Sequence, residues 1–284
     1  MGATTEGSLT LLSQSFGGSA HIRQVSLQTL DVIIGKCARV ACVVPSAKHF
    51  VAGLWGGLAA VNRLHHLGQR EASPGHAATR RFCYSAAWIR ALLSEDESCP
   101  LDLERLVFPK PPPRASVSGW RVEYDASIYG GGAVLRRPDG VVDQHFFVIW
   151  DGTEAEHLGV WINDSKFQTF WEFAVFLLVL MQWADMFHPF AMPILGDNTG
   201  ALQAGLELKG RGVLLAIARE ISWRKARRRW AFVVGHLPSE HNTVSDALSR
   251  VADPSSPPWP ATCLASSTWV TPARLRDLWR ALPS

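Results

Sequence analysis

An aspartate inside a predicted strand is the feature that most limits what this 284-residue chain can form. The stretch Trp120–Val134 alternates apolar and polar positions, which predicts a strand, and its run of glycines predicts a turn into a second strand. Asp125 lies within the first of these strands. Strand interiors disfavour aspartate, and a buried carboxylate needs a partner. Asp125 is therefore either a turn-initiating residue at a strand end or part of a polar site.

Three further carboxylates lie in segments where a carboxylate is locally unexpected. Glu172 precedes the apolar run FAVFLLVLM, which predicts a deeply buried helix. Asp197 follows a short apolar run in MPILGDNTGAL, and Asp246 begins a predicted helix in HLPSEHNTVSDALSR. Each has an ordinary alternative: Glu172 as a carboxylate in the first turn of a helix, Asp197 as a turn residue, and Asp246 as a helix cap.

The order strand Asp, helix Glu, strand-end Asp and helix-start Asp resembles the ribonuclease H domain of retroelement reverse transcriptases. The motifs YDAS followed by GGGAVL, then GDNTGAL and HNTVSDALSR are similar to those of LTR and DIRS-like elements, over about Ser118 to Arg250. The resemblance implies a ribonuclease H-like fold of the mixed α/β (α+β) class, preceded by a small helical unit. The earlier stretch IIGKCARVACVVPSAKHF resembles, less specifically, the thumb and connection segment of such polymerases.

Changes in hydrophobic period and two proline-rich stretches predict the domain organisation. Helical spacing predicts three helices, at about 24–45, 47–67 and 76–93. FPKPPPRASVSG and DPSSPPWPATCLASS predict linkers. The predicted segments are a mobile N-terminus at 1–20, a helical thumb- and connection-like unit at 21–108, a linker at 109–117, the ribonuclease H-like domain at 118–250, and a linker with a short C-terminal helix at 251–284.

Within 118–250 the patterns predict a βββαβαβα order, with helices packed on a central sheet. After the meander that ends at Trp150, we predict a short strand at about His157 to Ile162. The remaining predicted elements are a helix at 166–183, a strand at 192–195, a helix at 199–206, a basic helix at 213–229, a strand at 230–234 and a last short helix. Beyond them, TPARLRDLWRALPS predicts an amphipathic helix capped by Thr271, with Pro272 in its first turn.

The resemblance also implies chemistry, namely phosphodiester hydrolysis with two Mg²⁺ ions, or Mn²⁺ in their place, about 3.5–4 Å apart. Magnesium prefers oxygen ligands, so a few carboxylates are enough to hold it. By the resemblance Asp125 would bridge both ions, Glu172 and Asp197 would hold one, and Asp246 the other. His241 occupies the loop where many ribonuclease H domains carry a histidine that assists catalysis; its alternative is a solvated loop residue.

A dense basic stretch, SWRKARRRW, stands out in a chain whose net charge is only +3. Its cationic residues are Arg224, Lys225, Arg227, Arg228 and Arg229. We predict that they contact nucleic-acid phosphates. The alternatives are a solvated end of a helix at its negative pole, or a nuclear import signal.

The remaining composition limits the class of protein. Five cysteines without a CxxC pair indicate reduced thiols rather than a disulfide framework or a zinc site. We expect no signal peptide, and the longest apolar stretch, Phe173–Met181, is too short to span a bilayer, so we expect an intracellular protein of the cytoplasm or nucleus. A YxDD-type polymerase motif does not occur, which suggests a fragment or derivative of a retroelement polyprotein. Other parts of that polyprotein are expected as partners.

Related enzymes with this fold differ in their carboxylate order. Transposases and integrases end on a helix Glu, whereas this chain ends on Asp246; proofreading exonucleases carry Asp-x-Glu on the first strand, whereas Ser127 stands two residues after Asp125. We therefore expect a ribonuclease H that cleaves the RNA strand of an RNA/DNA hybrid. The alternative is an inactive, domesticated protein that keeps the fold and binds nucleic acid without cutting it.

Overall fold

The computed structural model describes residues 24–44, 47–93, 119–188, 190–208, 213–228, 230–256 and 261–275. The described residues fall into two compact units, one spanning 24–93 and the other 119–275. The predicted mobile N-terminus at 1–20 and the predicted linker at 109–117 lie outside the described residues. The predicted domain boundaries stay predictions.

The first unit consists of three helices and a short two-stranded sheet. Its elements are β1 (Gln24–Ser26), α1 (Leu27–Val43), α2 (Lys48–His66), β2 (His76–Ala78) and α3 (Arg80–Leu93). The predicted starts of the first and third helices were too early, because 24–26 and 76–78 pair as antiparallel strands. Ser26 then caps α1 by accepting a hydrogen bond from the Thr29 N–H at 3.0 Å.

The second unit is a six-stranded mixed sheet with helices, which confirms the predicted fold class. Its strands are β3 (Arg121–Ala126), β4 (Gly130–Arg136), β5 (Val142–Ile149), β6 (Met192–Gly196), β7 (Phe232–His236) and β8 (Thr268–Trp269). Its α-helices are α4 (Gly152–Leu158), α5 (Gln168–Trp183), α6 (Thr199–Glu207), α7 (Leu214–Arg227), α8 (Thr243–Ser249) and α9 (Ala261–Leu264). The strand order is β7-β6-β3-β4-β5-β8, with β3, β4 and β5 antiparallel and the other pairs parallel.

Two apolar layers cover the two faces of this sheet. The larger core joins Tyr124 and Leu135 of the strands to almost every side chain of α5. The smaller core, on the opposite face, joins Val134 to Val244 and Leu248 of α8. Two glycines of β4 allow both helices to approach closely, since a Cβ at Gly131 would lie 2.2 Å from Val175 and one at Gly132 would lie 2.3 Å from Leu248. Both helices therefore pack directly over β3 and β4.

The predicted strand at His157–Ile162 is wrong, because α4 extends into that segment as far as Leu158 and residues 159–162 form a turn and loop without strand pairing. The Asp151 side chain accepts a hydrogen bond from the Thr153 N–H at 2.8 Å, and Gly159 ends the helix with φ of 69°. Both are ordinary helix-end signals. A seven-residue helix is too short to show a helical period, so only these end signals could have identified it.

The segment after Arg250 contributes to the sheet. Strand β8 pairs in parallel with β5, and the Ser267 hydroxyl lies 2.8 Å from Nδ1 of His145. Leu275 is buried in the larger core. The sequence predicted only a linker in the part of 251–284 that holds β8, because a two-residue strand has no detectable pattern. The predicted start of the C-terminal helix at Thr271 is wrong, because 271–274 is not helical; 276–284 lies outside the described residues.

One helical segment among the described residues, Ser165–Phe187, is long and apolar enough to cross a membrane by length and composition alone. However, 78% of its most apolar window is buried inside the protein, as in the central helix of a folded core. Four cysteines are described, Cys37, Cys42, Cys83 and Cys263, and all four are free thiols, as predicted.

Candidate metal centre

Strand pairing brings Asp125 and Asp197 together. Strands β3 and β6 are adjacent and parallel, and Glu123 pairs with Leu195. Asp125 and Asp197 each lie two residues beyond that pair. They therefore occupy matching positions at the same end of neighbouring strands, on the same face of the sheet. Placement on separated strands or opposite faces would have excluded a shared site.

Glu172 completes a cluster with these two aspartates. One carboxylate oxygen from each of Asp125, Glu172 and Asp197 lies within 4.8 Å of the other two. Asp125 is 4% exposed and Glu172 is 2% exposed. Within the part of the chain that the structure describes, none of the three carboxylates forms an ion pair with a lysine or arginine.

A second buried carboxylate on β3 has the opposite environment. Glu123 shares the face of Asp125, and its two oxygens accept hydrogen bonds from Nε of Arg121 at 2.9 Å and Nε of Arg136 at 2.6 Å. The protein thus neutralises Glu123 with two guanidinium groups, whereas among the described residues the Asp125 carboxylate accepts a hydrogen bond from the Ser249 hydroxyl and forms no ion pair. The site around Asp125 has an excess of negative charge that a bound cation would offset.

Hydrogen bonds from uncharged donors orient the three carboxylates. The Ser249 hydroxyl donates to Oδ2 of Asp125 at 2.7 Å, and the Ser239 hydroxyl donates to Oδ2 of Asp197 at 2.8 Å. The Gln168 amide, one turn before Glu172 on α5, donates to Oε1 of Glu172 at 3.1 Å. These donors fix the direction of each carboxylate without neutralising it.

One oxygen of Glu172 is left without a donor. Its Oε1 accepts hydrogen bonds from the Ala126 N–H at 3.3 Å and from Gln168. Its Oε2 is buried and has no hydrogen-bond partner among the described residues. A buried oxygen without a donor is costly for a folded protein, unless a ligand such as a metal ion satisfies it. The residues present therefore fit a hard cation such as Mg²⁺, which takes oxygen ligands.

The fourth predicted carboxylate, Asp246, lies on α8 at the rim of the cluster. Its Oδ1 accepts a hydrogen bond from Nε of Arg250 at 2.7 Å, and both side chains are more than 40% exposed. Asp246 and Arg250 both act electrostatically on Asp125, with opposite signs. Asp246 thus belongs to the same electrostatic neighbourhood as the three clustered carboxylates, but it carries its own counter-cation.

Burial changes the protonation of this site. It raises the pKa of Asp125 to about 7, helped by the negative charges of Asp197 and Asp246 and opposed by the Ser249 hydrogen bond and the Arg250 charge. Burial also raises the pKa of Glu172 well above its ordinary range, and Asp125 and Asp197 add to this effect. In the metal-free protein, some of the carboxyl groups therefore hold protons near neutral pH.

The structure places His241 in the loop before α8. His241 is exposed and ends the 3-10 turn Ser239–His241, whose first residue contacts Asp197. His241 therefore lies two residues after Ser239, the residue that contacts Asp197. Its part in catalysis stays a prediction.

The basic stretch lies at the other end of the sheet. Its residues end α7 and precede β7, whose first residue, Phe232, pairs with Met192 at the start of β6, whereas Asp197 follows the end of β6. Arg224 is buried against Glu220 at 2.6 Å, and Arg227 is buried beside the Trp223 ring. The other members are Lys225 over the Phe232 ring, the exposed Arg228 paired with Asp185 at 3.3 Å, and Arg229, which lies outside the described residues.

Several site residues escaped the sequence analysis although their positions carried a signal. Ser249 and Arg250 are the last two letters of the quoted motif HNTVSDALSR, and Gln168 stands four residues before Glu172, which places it on the same helix face. Asn242, in the same motif, directly precedes α8. Its amide donates to the Tyr124 carbonyl at 2.9 Å, directly before Asp125.

Comparisons with known proteins add little to this geometry. No family model matches the chain, and no curated protein matches it. Among solved structures it is similar to one described as the structure of the foamy viral protease-reverse transcriptase dRH in complex with ds DNA, with 12% identity and a TM-score of 0.30. The similarity covers 81% of this chain but only 35% of that one, so the chain spans about a third of its length. A likeness at this TM-score carries no argument about fold or function.

Proposed function

We propose that the chain is a metal-dependent nuclease of the ribonuclease H type, which hydrolyses the RNA strand of an RNA/DNA hybrid. The observation that carries this proposal is the convergence of Asp125 on β3, Asp197 just after β6 and Glu172 on α5 within 4.8 Å, with no ion pair from any of the three to a lysine or arginine among the described residues. A cluster of unpaired carboxylates destabilises the folded protein unless a bound ligand offsets the negative charge. A bound cation would offset this charge, which supports a cation-binding role.

The protein's own residues would hold and orient the metal ions. Asp125 clusters with Glu172 and Asp197 and also interacts electrostatically with Asp246, so it suits the bridging position between an ion held by Glu172 and Asp197 and one held by Asp246. When bound, two Mg²⁺ ions would make a water nucleophilic at neutral pH and neutralise charge on the attacking and leaving oxygens. Mn²⁺ would serve as an alternative, since it accepts the same oxygen ligands.

The proposed substrate is a duplex with RNA in one strand and DNA in the other. Such a duplex is distinguished by its 2′-hydroxyl groups and by the shape of its shallow minor groove, so recognition is expected to be independent of sequence. Basic character in the first unit supports a nucleic-acid partner, because its described residues carry eight Lys and Arg against two Asp and Glu. As part of the same proposal, the chain derives from a retroelement polyprotein.

A cleavage assay tests this function. The full chain is incubated with a labelled RNA/DNA hybrid, with double-stranded RNA and with double-stranded DNA, with Mg²⁺ or with EDTA. We expect cleavage of the RNA strand of the hybrid alone, abolished by EDTA and nearly abolished by Asp125→Asn, because the variant loses a charged metal ligand and even an outer-shell partner of such a ligand is worth about 10–100-fold. Asp143→Asn, which removes a β5 carboxylate paired with Arg137, should keep the activity.

The inactive alternative gives a different result in the same assay. A protein that binds the hybrid but cuts none of the three duplexes would support a nucleic-acid-binding role without catalysis. Cleavage that persists in EDTA or in Asp125→Asn would contradict the metal-dependent proposal.

A further inference from the structure

The last residue of α8 contacts the central carboxylate of the site. Ser249 is 1% exposed, and its hydroxyl lies 2.7 Å from Oδ2 of Asp125 and 2.9 Å from the carbonyl oxygen of Asp246. A serine hydroxyl has one proton and donates to one acceptor at a time. The shorter contact, to a carboxylate, is the one that negative charge strengthens.

A second serine holds Ser249 in place. The Ser127 hydroxyl donates to the Ser249 carbonyl at 2.7 Å and accepts hydrogen bonds from the Tyr129 and Gly130 N–H groups, at 3.1 Å and 3.2 Å. The Ser249 carbonyl is at the C-terminus of α8, where carbonyls have no partner within the helix. The two serines therefore tie the turn after β3, the end of α8 and the Asp125 side chain into one hydrogen-bonded unit.

We propose that Ser249 is a positioning residue that fixes the Asp125 carboxylate for metal binding and holds α8, which carries Asp246, in register with β3. This inference rests on the proposed function, since it assumes that Asp125 is a metal ligand. Hydrogen-bond partners of ligating carboxylates orient them, and their loss typically weakens metal affinity 10–100-fold. Ser249 is the hydrogen-bond partner of this kind for Asp125.

The same helix offers a matched control. Ser245 lies one turn before Ser249, is 0% exposed, and its hydroxyl has no hydrogen-bond partner among the described residues. Ser245→Ala removes the same group at the same depth without affecting a contact to a carboxylate. A difference between the two alanine variants therefore reports on the Asp125 contact rather than on the packing of α8.

The test is isothermal titration of the full-length, metal-free chain with Mn²⁺. Circular dichroism checks that each variant is folded. We expect Ser249→Ala to bind Mn²⁺ roughly 10–100-fold more weakly than the wild type, and Ser245→Ala to bind with wild-type affinity. Ser249→Cys keeps the shape of serine but is a weak donor, so it should also lose affinity. If Ser249→Ala does not fold, Ser249→Cys is judged by the same criteria.

The outcomes separate this inference from the function on which it rests. Wild-type affinity in Ser249→Ala, or equal losses in Ser249→Ala and Ser245→Ala, would overturn the positioning role and leave the metal site standing. If the wild-type chain binds no Mn²⁺, the proposed function and this inference fail together.

Discussion

At the scale of single residues, Glu123 and Asp125 show how local context decides the state of a carboxylate. They share one face of β3, yet Arg121 and Arg136 neutralise Glu123 while Asp125 has the Ser249 hydroxyl. The sequence pattern identified Asp125 as unusual but could not give its surroundings, because its nearest donor lies 124 residues away. Local periodicity contains no information about such contacts.

This environment predicts that the metal-free protein loses stability as the pH rises through the acidic range. Burial raises the pKa of folded Asp125 to about 7, against about 3.9 for an unfolded aspartate. Between these values the unfolded chain ionises while folded Asp125 keeps its proton, so the unfolded chain binds fewer protons and the free energy of unfolding falls. The loss is at most about 4 kcal/mol, at about 1.4 kcal/mol for each pKa unit.

Thermal unfolding in EDTA at several pH values between about 4 and about 8 measures this effect. We expect Asp125→Asn, which has no carboxyl group to ionise, to show a flatter pH dependence and a higher melting temperature at pH 8 than the wild type. Identical pH dependences in the two proteins would mean that burial does not raise the pKa of folded Asp125.

At the scale of elements, long apolar runs and the quoted motifs gave accurate predictions, whereas short segments without either were missed. The predicted helix at 166–183 agrees with α5 at Gln168–Trp183, because its long apolar run leaves no other interpretation. The short helix α4 and strand β8 carry too few residues for a period and were missed. The site depends on both kinds of element, since Glu172 lies on the long α5 and Asp246 on the seven-residue α8.

The basic end of α7 gives a prediction at this scale. Arg228 lies at the end of the sheet opposite the carboxylates and pairs with Asp185, so we expect it to stabilise a helix end rather than to contact phosphates. We expect Arg228→Ala to leave the salt dependence of hybrid binding unchanged. Lys166 is exposed and lies two residues before Gln168 at the site, so Lys166→Ala should reduce the slope by about one. A smaller slope in Arg228→Ala would instead support phosphate contact by the basic stretch.

At the scale of the whole molecule, the order of the four carboxylates along the chain identified the fold class, and strand pairing explains why. Residues far apart in sequence meet because β3 and β6 are neighbours, with α5 on one face and α8 on the other. The resemblance supplied that arrangement; composition and periodicity alone predicted only helices on a sheet. The segment 261–275 contributes β8, which pairs with the edge of β5. No sequence motif predicted this pairing.

If the acidic cluster binds metal ions, anomalous diffraction from crystals of the full chain soaked in Mn²⁺ should show them there. We predict two Mn²⁺ peaks about 3.5–4 Å apart. One should be coordinated by Asp125, Glu172 and Asp197, and the other by Asp125 and Asp246, with both peaks lost or weakened in Asp125→Asn. The absence of any peak among these carboxylates in well-occupied wild-type crystals would contradict the metal site and, with it, the proposed nuclease.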